Sequence, residues 1–165
     1  MTSRRVVETC SLVRQTPSSA IPVRGVRPCD EQGLAVLLYA AYRGTIDDEG
    51  ETFSDALAEI GKTLAGDYGD FLPECSFLIE EGEFIASAVL ISWWEPHQAP
   101  LVVFTMTRPE HRRKGYARTL IQGSMNALID RGYNRLTLVV TEGNTPAQRL
   151  YDRLGFKPIT DRNTA

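Results

Sequence analysis

The chain has 165 residues, a length that suits one domain and can bury a core without metal or disulfide staples. Apolar residues make up 42%, charged residues 24% and aromatics 8%, an ordinary globular composition that excludes a wholly disordered or fibrous chain. Eighteen basic against 21 acidic side chains leave a net charge of −3, which argues against a general nucleic-acid or membrane-surface binder while leaving room for a local basic patch.

The chain opens with residues 1–20, an expected N-terminal arm in which 6–13 is either an extra strand or an ordered tail. This arm holds Arg4, Arg5 and Arg14 but no apolar secretory core, and Glu8 argues against a transit peptide. The Pro/Ser-rich stretch 15–22 reads as a linker to a single domain over 21–165. A short strand is expected over 22–27. Asp30 is placed to cap a helix with the apolar face Leu34, Leu37, Leu38 and Ala41, ended by Gly44. The loop 45–51 (TIDDEGE) carries Asp47, Asp48, Glu49 and Glu51. Thr52 can cap a second helix with the face Phe53, Leu57, Ile60 and Leu64.

Strands 76–80 and 83–93 flank Glu81-Gly82 and read as a hairpin that brings Trp93 and Trp94 to the end of a central strand. One of the two tryptophans is expected in the core and the other at the surface or the mouth of a substrate site. The run 101–107 (LVVFTMT) reads as a buried strand. A basic, glycine-containing turn then opens an amphipathic helix with the face Ala117, Leu120, Ile121, Met125, Leu128 and Ile129. A strand over 136–141, a short helix and a last strand complete an α/β arrangement ending in a βαβ unit. The near-apolar run Phe84–Trp94 is too short to span a bilayer. Cys10, Cys29 and Cys75 show neither paired nor metal-ligand spacing, so they read as reduced thiols of a cytoplasmic protein with no metal site.

Two segments carry chemistry. Arg112-Arg113-Lys114-Gly115-Tyr116-Ala117 places a glycine and a small residue where a helix begins. The first amides of a helix have no intrahelical acceptor and the positive end of the helix dipole lies there, so such a turn can cradle a pyrophosphate. His111, Arg112, Arg113, Lys114 and Arg118 add positive charge; alone, the segment is equally a solvated basic turn. In the second segment, 141–151, Pro146 fits a first helical turn, Thr145 the N-cap and Gln148 a capping box, which leaves the Asn144 amide free for a ligand. Tyr151 lies on the buried face with a hydroxyl that needs a partner.

Together these segments resemble the GCN5-related N-acetyltransferases, the GNAT superfamily, over about 101–158. The family's Arg/Gln-x-x-Gly-x-Gly/Ala motif is similar to Arg112-Arg113-Lys114-Gly115-Tyr116-Ala117. Its later Asn-x-x-Ala-x-x-Leu-Tyr-x-x-x-Gly-Phe pattern matches Asn144, Ala147, Leu150, Tyr151, Gly155 and Phe156. The resemblance implies a mixed, mainly antiparallel sheet with helices on both faces and a splayed parallel strand pair. It implies acetyl-CoA as cosubstrate, with pantetheine against the backbone of Thr105, Met106 and Thr107. The pyrophosphate would lie on the amides of Arg113, Lys114, Gly115, Tyr116, Ala117 and Arg118, and Asn144 would bond pantetheine or a nearby backbone group.

The implied reaction is direct acetyl transfer to an amine of a small molecule or a peptide, with an oxyanion held by an amide near Thr105 or Met106 and Tyr151 as the acid. Relatives place a glutamate on the strand before the motif, but 101–107 has no carboxylate, so no base is assigned; Glu142 and His97 are the nearest alternatives. The acidic loop 45–51 is either a solvated loop or a wall that attracts cationic amines. Dimers are common in the family, so a homodimer is one expected state. A non-catalytic acyl-CoA-binding or partner-binding domain on the same fold is the alternative reading. A nucleic-acid module lacks aromatic interleaving and overall positive charge.

Overall fold

Strand order explains where the functional gap lies. The computed structural model describes residues 3–159. Its elements run β1 (Arg5–Ser11), β2 (Arg24–Gly25), α1 (Glu31–Tyr42), α2 (Phe53–Ala65), β3 (Phe77–Glu81), β4 (Phe84–Trp94), β5 (Ala99–Thr107), α3 (Tyr116–Asp130), β6 (Arg135–Thr141), α4 (Thr145–Arg153) and β7 (Lys157–Pro158). The strands form one sheet in the order β2-β3-β4-β5-β6-β1-β7. All paired neighbours are antiparallel except β5 and β6, which are parallel. No described helix is long and apolar enough to cross a membrane.

The β-branched and apolar run of β4 is buried from Ile85 to Ser92, as a central strand covered on both faces must be. On one face α1 and α2 pack Leu34, Leu37, Leu38, Ala41 and Ile60 against Leu78, Ala88, Leu90 and Met106. On the other, α3 and α4 pack Leu120, Ile121, Met125, Leu128, Tyr151 and Leu154 against Val89, Ile91, Leu136, Leu138 and Phe156. The predicted face of α1 is thus the buried one.

Three local expectations change. The strand expected over 22–27 shrinks to Arg24–Gly25. α1 ends at Tyr42, and Gly44 follows its C-cap in left-handed backbone (φ 77°), as expected. Asp30 precedes α1 but does not cap it with its side chain. Its carboxylate instead receives Arg24 at 2.8 Å and the Arg27 amide at 2.7 Å. The Thr52 cap of α2 holds, with Asp55 completing a capping box. The face of α2 is turned, however: Ala56, Ile60 and Thr63 are buried while Phe53 and Leu57 are 37% and 36% exposed. Phe53 instead lies at the rim, edge-on to Tyr39 of α1 with ring centroids 6.3 Å apart.

The N-terminal arm is a full strand of the sheet. β1 pairs with β6 from Arg5↔Thr141 to Ser11↔Arg135 and with β7 at Glu8↔Pro158 and Thr9↔Lys157. The Pro/Ser stretch expected as a linker is held on α3. Gln15 N donates to Asn126 Oδ1 at 2.8 Å, and Ser18 N donates to Gln122 Oε1 at 3.2 Å.

Cys10 and Cys75 are buried and burial pushes each thiol up to about 11, whereas Cys29 is exposed. In the native protein near neutral pH, one thiol equivalent is expected to react promptly with a chromogenic disulfide reagent. Three equivalents should react after denaturation; three fast equivalents in the native state would contradict the buried placement.

Candidate active site

The parallel pairing of β5 and β6 is short. It spans Leu101↔Thr137 and Val102↔Leu138, after which the strands part. A bulge lies at the same point: Leu90 pairs with Phe104 and Ile91 with Val102, so Val103 is one residue too many on β5. An extra residue bends its strand and increases the local twist, which accounts for the divergence. Beyond it β5 still pairs with β4 as far as Ser87↔Thr107. Arg108 N donates to Ala86 O, and Met106 O accepts Ser87 Oγ, each at 2.9 Å. Antiparallel alternation therefore turns the backbone of Phe104 and Met106 toward β4 and that of Thr105 and Thr107 toward the gap. Met106, expected to offer its backbone to a ligand, is fully buried and turned away from the gap.

The basic turn follows directly. The last β5 residue leads through a 3₁₀ turn, Pro109–His111, into left-handed backbone at Arg113 (φ 66°) and at Gly115 (φ 77°), the residue that caps α3. Arg113 holds a conformation that costs a side-chain-bearing residue energy. The first helical bond is Thr119 N to Gly115 O at 3.1 Å. The amides of residues 113–118 make no hydrogen bond among the described residues. Six unpartnered donors at the positive end of a 15-residue helix suit an anion. A Cβ on Gly115 would meet nothing within 4 Å, so the cradle is open.

Two side chains of the motif turn back into the fold. Arg112 donates to Ala41 O in the last turn of α1 at 2.8 Å, and the Tyr116 hydroxyl bonds Glu81. Lys114 Nζ lies 3.1 Å from His111 Nδ1. Arg113 and Arg118 form no ion pair among the described residues, so their charges stay available on the turn.

At the other end of the gap a cleft of about 830 Å³ opens between α1, α2, the loop joining them, β1, β5, β6 and α4. Tyr151, Tyr42, Thr105 and Asn144 line it. The Tyr151 ring is buried edge-on to Phe156, centroids 5.8 Å apart. Burial raises its phenol above the ordinary value, the charges of Glu8 and Asp47 add to this, and Thr105 acts in the opposite sense. Thr105 Oγ1 is buried without a hydrogen-bond partner among the described residues, an orphaned donor and acceptor beside the phenol. Burial also raises Tyr42, with Tyr151 and Asp47 adding.

Asn144 differs from expectation. It is itself the N-cap of α4, accepting from Ala147 N at 3.4 Å, and Thr145 lies inside the helix. Its amide nitrogen lies 3.5 Å from Asp47 Oδ2, while Thr141 Oγ1 donates to Asp47 Oδ1 at 2.6 Å. Asp47 thereby fastens the α1–α2 loop to the end of β6. An N-cap asparagine satisfies a helix amide as a threonine would, so the cap moves one residue toward the N-terminus with no loss of a partner.

Neither acid–base alternative lines the cleft. Glu142 is exposed, and the His97 ring packs at a tilt against Trp94 with centroids 4.2 Å apart. Trp93 packs on Tyr133 and bonds Glu95, so neither tryptophan reaches the cleft. Sequence reasoning missed Tyr42 and Arg5. Tyr39 and Tyr42, three apart at the end of α1, were a signal for the first. Arg5 reaches the cleft only because β1 enters the sheet beside β6, which no local pattern reveals.

A model of the acetyltransferase (GNAT) family matches residues 38–156. The chain belongs to the GNAT acetyltransferase family. It is 44% identical over 54 residues to a [ribosomal protein bS18]-alanine N-acetyltransferase of Haemophilus ducreyi, covering 33% of this chain and 37% of that relative. Among solved structures it resembles a GCN5-related N-acetyltransferase from Sphaerobacter thermophilus, with TM-score 0.70 and 22% identity, over 94% of this chain and 48% of that one. It also resembles AAC(6')-Iy in complex with the bisubstrate analog CoA-S-monomethyl-acetylneamine, with TM-score 0.61 and 17% identity, over 84% and 92% of the two chains. The chain thus spans about a third to a half of the length of the first two relatives. The GNAT fold accounts for the splayed β5–β6 pair and the free-amide turn that follows it.

Proposed function

We propose that this GNAT protein is an acetyl-CoA-dependent N-acetyltransferase acting by direct transfer on a primary amine of a small cationic molecule or a peptide. One observation carries the reading: six free amides at the head of α3 lead along an unpaired β5 edge to a cleft that holds a buried phenol. The 113–118 amides would hold the pyrophosphate, and the outward groups of Thr105 and Thr107 would pair with pantetheine. Bound acetyl-CoA supplies a thioester carbonyl and a thiolate leaving group. The Thr105 amide faces the gap, where it can stabilise an oxyanion. As the C–N bond forms and the C–S bond breaks, Tyr151 gives its proton to sulfur and the amine's proton leaves to water.

The acceptor class follows from the cleft wall. Asp47, Asp48, Glu49, Glu51, Asp55 and Glu59 line it against the cations Arg5 and Arg43. Asp47 and Asp48 also tie the loop; Asp48 accepts the Gly44 and Gly50 amides at 2.7 and 2.9 Å. Glu51 Oε2 accepts the Glu49 amide at 3.0 Å, a bond that a glutamine amide oxygen keeps, so glutamine substitutions at Glu49 and Glu51 test charge. Thiol release from acetyl-CoA is to be measured with spermidine, an aminoglycoside and an alanine-headed peptide. The double variant Glu49→Gln/Glu51→Gln is expected to raise KM for spermidine roughly three- to tenfold at low salt, an effect that fades at high salt. Unchanged KM values for every cationic amine would remove the cationic class. No thiol release with any amine, despite acetyl-CoA binding, would favour the non-catalytic reading.

A further inference from the structure

We propose that Asp47, in the loop joining α1 and α2, is the general base of the transfer and receives the proton that the acceptor's ammonium must lose. The proposal rests on the reading of the chain as an amine acetyltransferase, and it supplies the base that β5, with no carboxylate, lacks.

Six carboxylates line the cleft, and five of them are engaged away from the gap. Asp48 accepts the Gly44 and Gly50 amides, Glu51 the Glu49 amide, Asp55 the Thr52 amide and Glu59 the Tyr68 hydroxyl. Glu49 is exposed and lies 3.8 Å from Arg5. Asp47 is half-buried, and it bonds the two elements that follow the gap, β6 and α4. Thr141 Oγ1 donates to its Oδ1 at 2.6 Å, whereas Asn144 Nδ2 stands 3.5 Å from Oδ2, the outer limit of a hydrogen bond. One oxygen is therefore anchored and the other is nearly free. Asp47 forms no ion pair among the described residues, so its charge is open to a cation.

The carboxylate is also held in place from its own loop. Asp47 N donates to Thr45 Oγ1 at 3.3 Å, and Thr45 Oγ1 donates to Tyr42 O at 2.7 Å. Ile46 packs over Gly143, where an added Cβ would stand 3.3 Å from Ile46 Cδ1. Tyr151 follows Asn144 by about two turns of α4, on the same side of the helix, and Asp47, Thr105 and Tyr151 line one cleft. An acid and a base oriented by a third group thus face the volume into which the β5 edge leads.

An ammonium in that volume gives one proton to Asp47 Oδ2, which passes it to water. The neutral nitrogen attacks the thioester carbonyl, the C–N bond forms, the C–S bond breaks and Tyr151 protonates sulfur. Nitrogen then loses a second proton by the same route, and Tyr151 takes one back from solvent, so each transfer releases one proton.

The test is the pH profile of thiol release by the full chain over about pH 6 to 9, with whichever of spermidine, the aminoglycoside and the alanine-headed peptide turns over fastest. Wild-type kcat/KM is expected to stay nearly flat below the amine's own pKa, because the enzyme takes the ammonium and removes its proton. Asp47→Asn keeps an oxygen for Thr141 but can use only amine already neutral in solution. Its kcat/KM should fall roughly 100-fold or more at the acid end and climb about tenfold per pH unit toward wild type. Thr141→Val removes the anchor and keeps the carboxylate, so its profile should stay flat at a lower level. An Asp47→Asn profile parallel to that of wild type would overturn the proposal. So would a wild-type profile that itself climbs tenfold per unit, a result that needs no variant. Both leave the transferase reading standing; no thiol release by wild type with any of the three amines would overturn that reading and the base with it.

Discussion

Replacing Tyr151 by Phe is expected to lower kcat roughly 10²- to 10⁴-fold, the usual loss when a positioned acid is removed, with acetyl-CoA affinity unchanged. The ring is held by packing in the α3–α4 core and by its edge-on contact with Phe156, all of which phenylalanine keeps. Among the described residues the hydroxyl makes no hydrogen bond, and the neighbouring Thr105 Oγ1 is itself unpartnered. The substitution therefore removes a proton donor and little else, and stability should change by less than about 1 kcal/mol. Because burial raises the phenol, Tyr151 stays protonated through neutral pH and is lost as a donor only on the alkaline side, above the ordinary tyrosine value near roughly 10. Stopped-flow or steady-state thiol release, paired with calorimetric titration of acetyl-CoA, checks both halves. A variant that turns over at the wild-type rate would remove Tyr151 from the mechanism.

Gly115→Glu is expected to abolish acetyl-CoA binding, weakening it by roughly 100-fold or more, as several charge-assisted hydrogen bonds to the pyrophosphate are lost. Two effects act together. The left-handed backbone at Gly115 strains any residue with a Cβ, by about 1–2 kcal/mol. The new side chain also starts in the open space of the cradle, bringing a carboxylate to the amides that would hold phosphate. Gly115→Ala separates them: it carries the strain without the charge and should bind acetyl-CoA only modestly more weakly. Equal loss in both variants would mean that backbone strain, not occupancy of an anion site, governs binding.

Local pattern carried much of the fold. The faces of α1 and α3, the Thr52 capping box and the hairpin of β3 and β4 follow from periodicity and turn residues alone. The candidate site was legible where its geometry depends on backbone: a glycine at a helix start and a strand end leave recognisable short motifs. It was illegible where contacts are long-range. That β1 would insert between β6 and β7, bringing Arg5 to the cleft, depends on pairing between residues more than 120 apart in sequence. Asn144 shows a subtler limit. Asparagine and threonine are both good N-caps, so adjacent Asn144 and Thr145 give one local signal for two helix starts. The α2 face is rotated from the expected one: Ala56, Ile60 and Thr63 meet the core, while Phe53 packs edge-on against Tyr39 of α1 at the rim.

The most direct test of the account is calorimetric titration of the purified wild-type chain with acetyl-CoA. The account predicts saturable binding at one site per chain, weakened by added inorganic pyrophosphate competing for the 113–118 amides. A folded wild-type protein that gives no binding heat at any temperature tried, and no thermal stabilisation by acetyl-CoA, would contradict it.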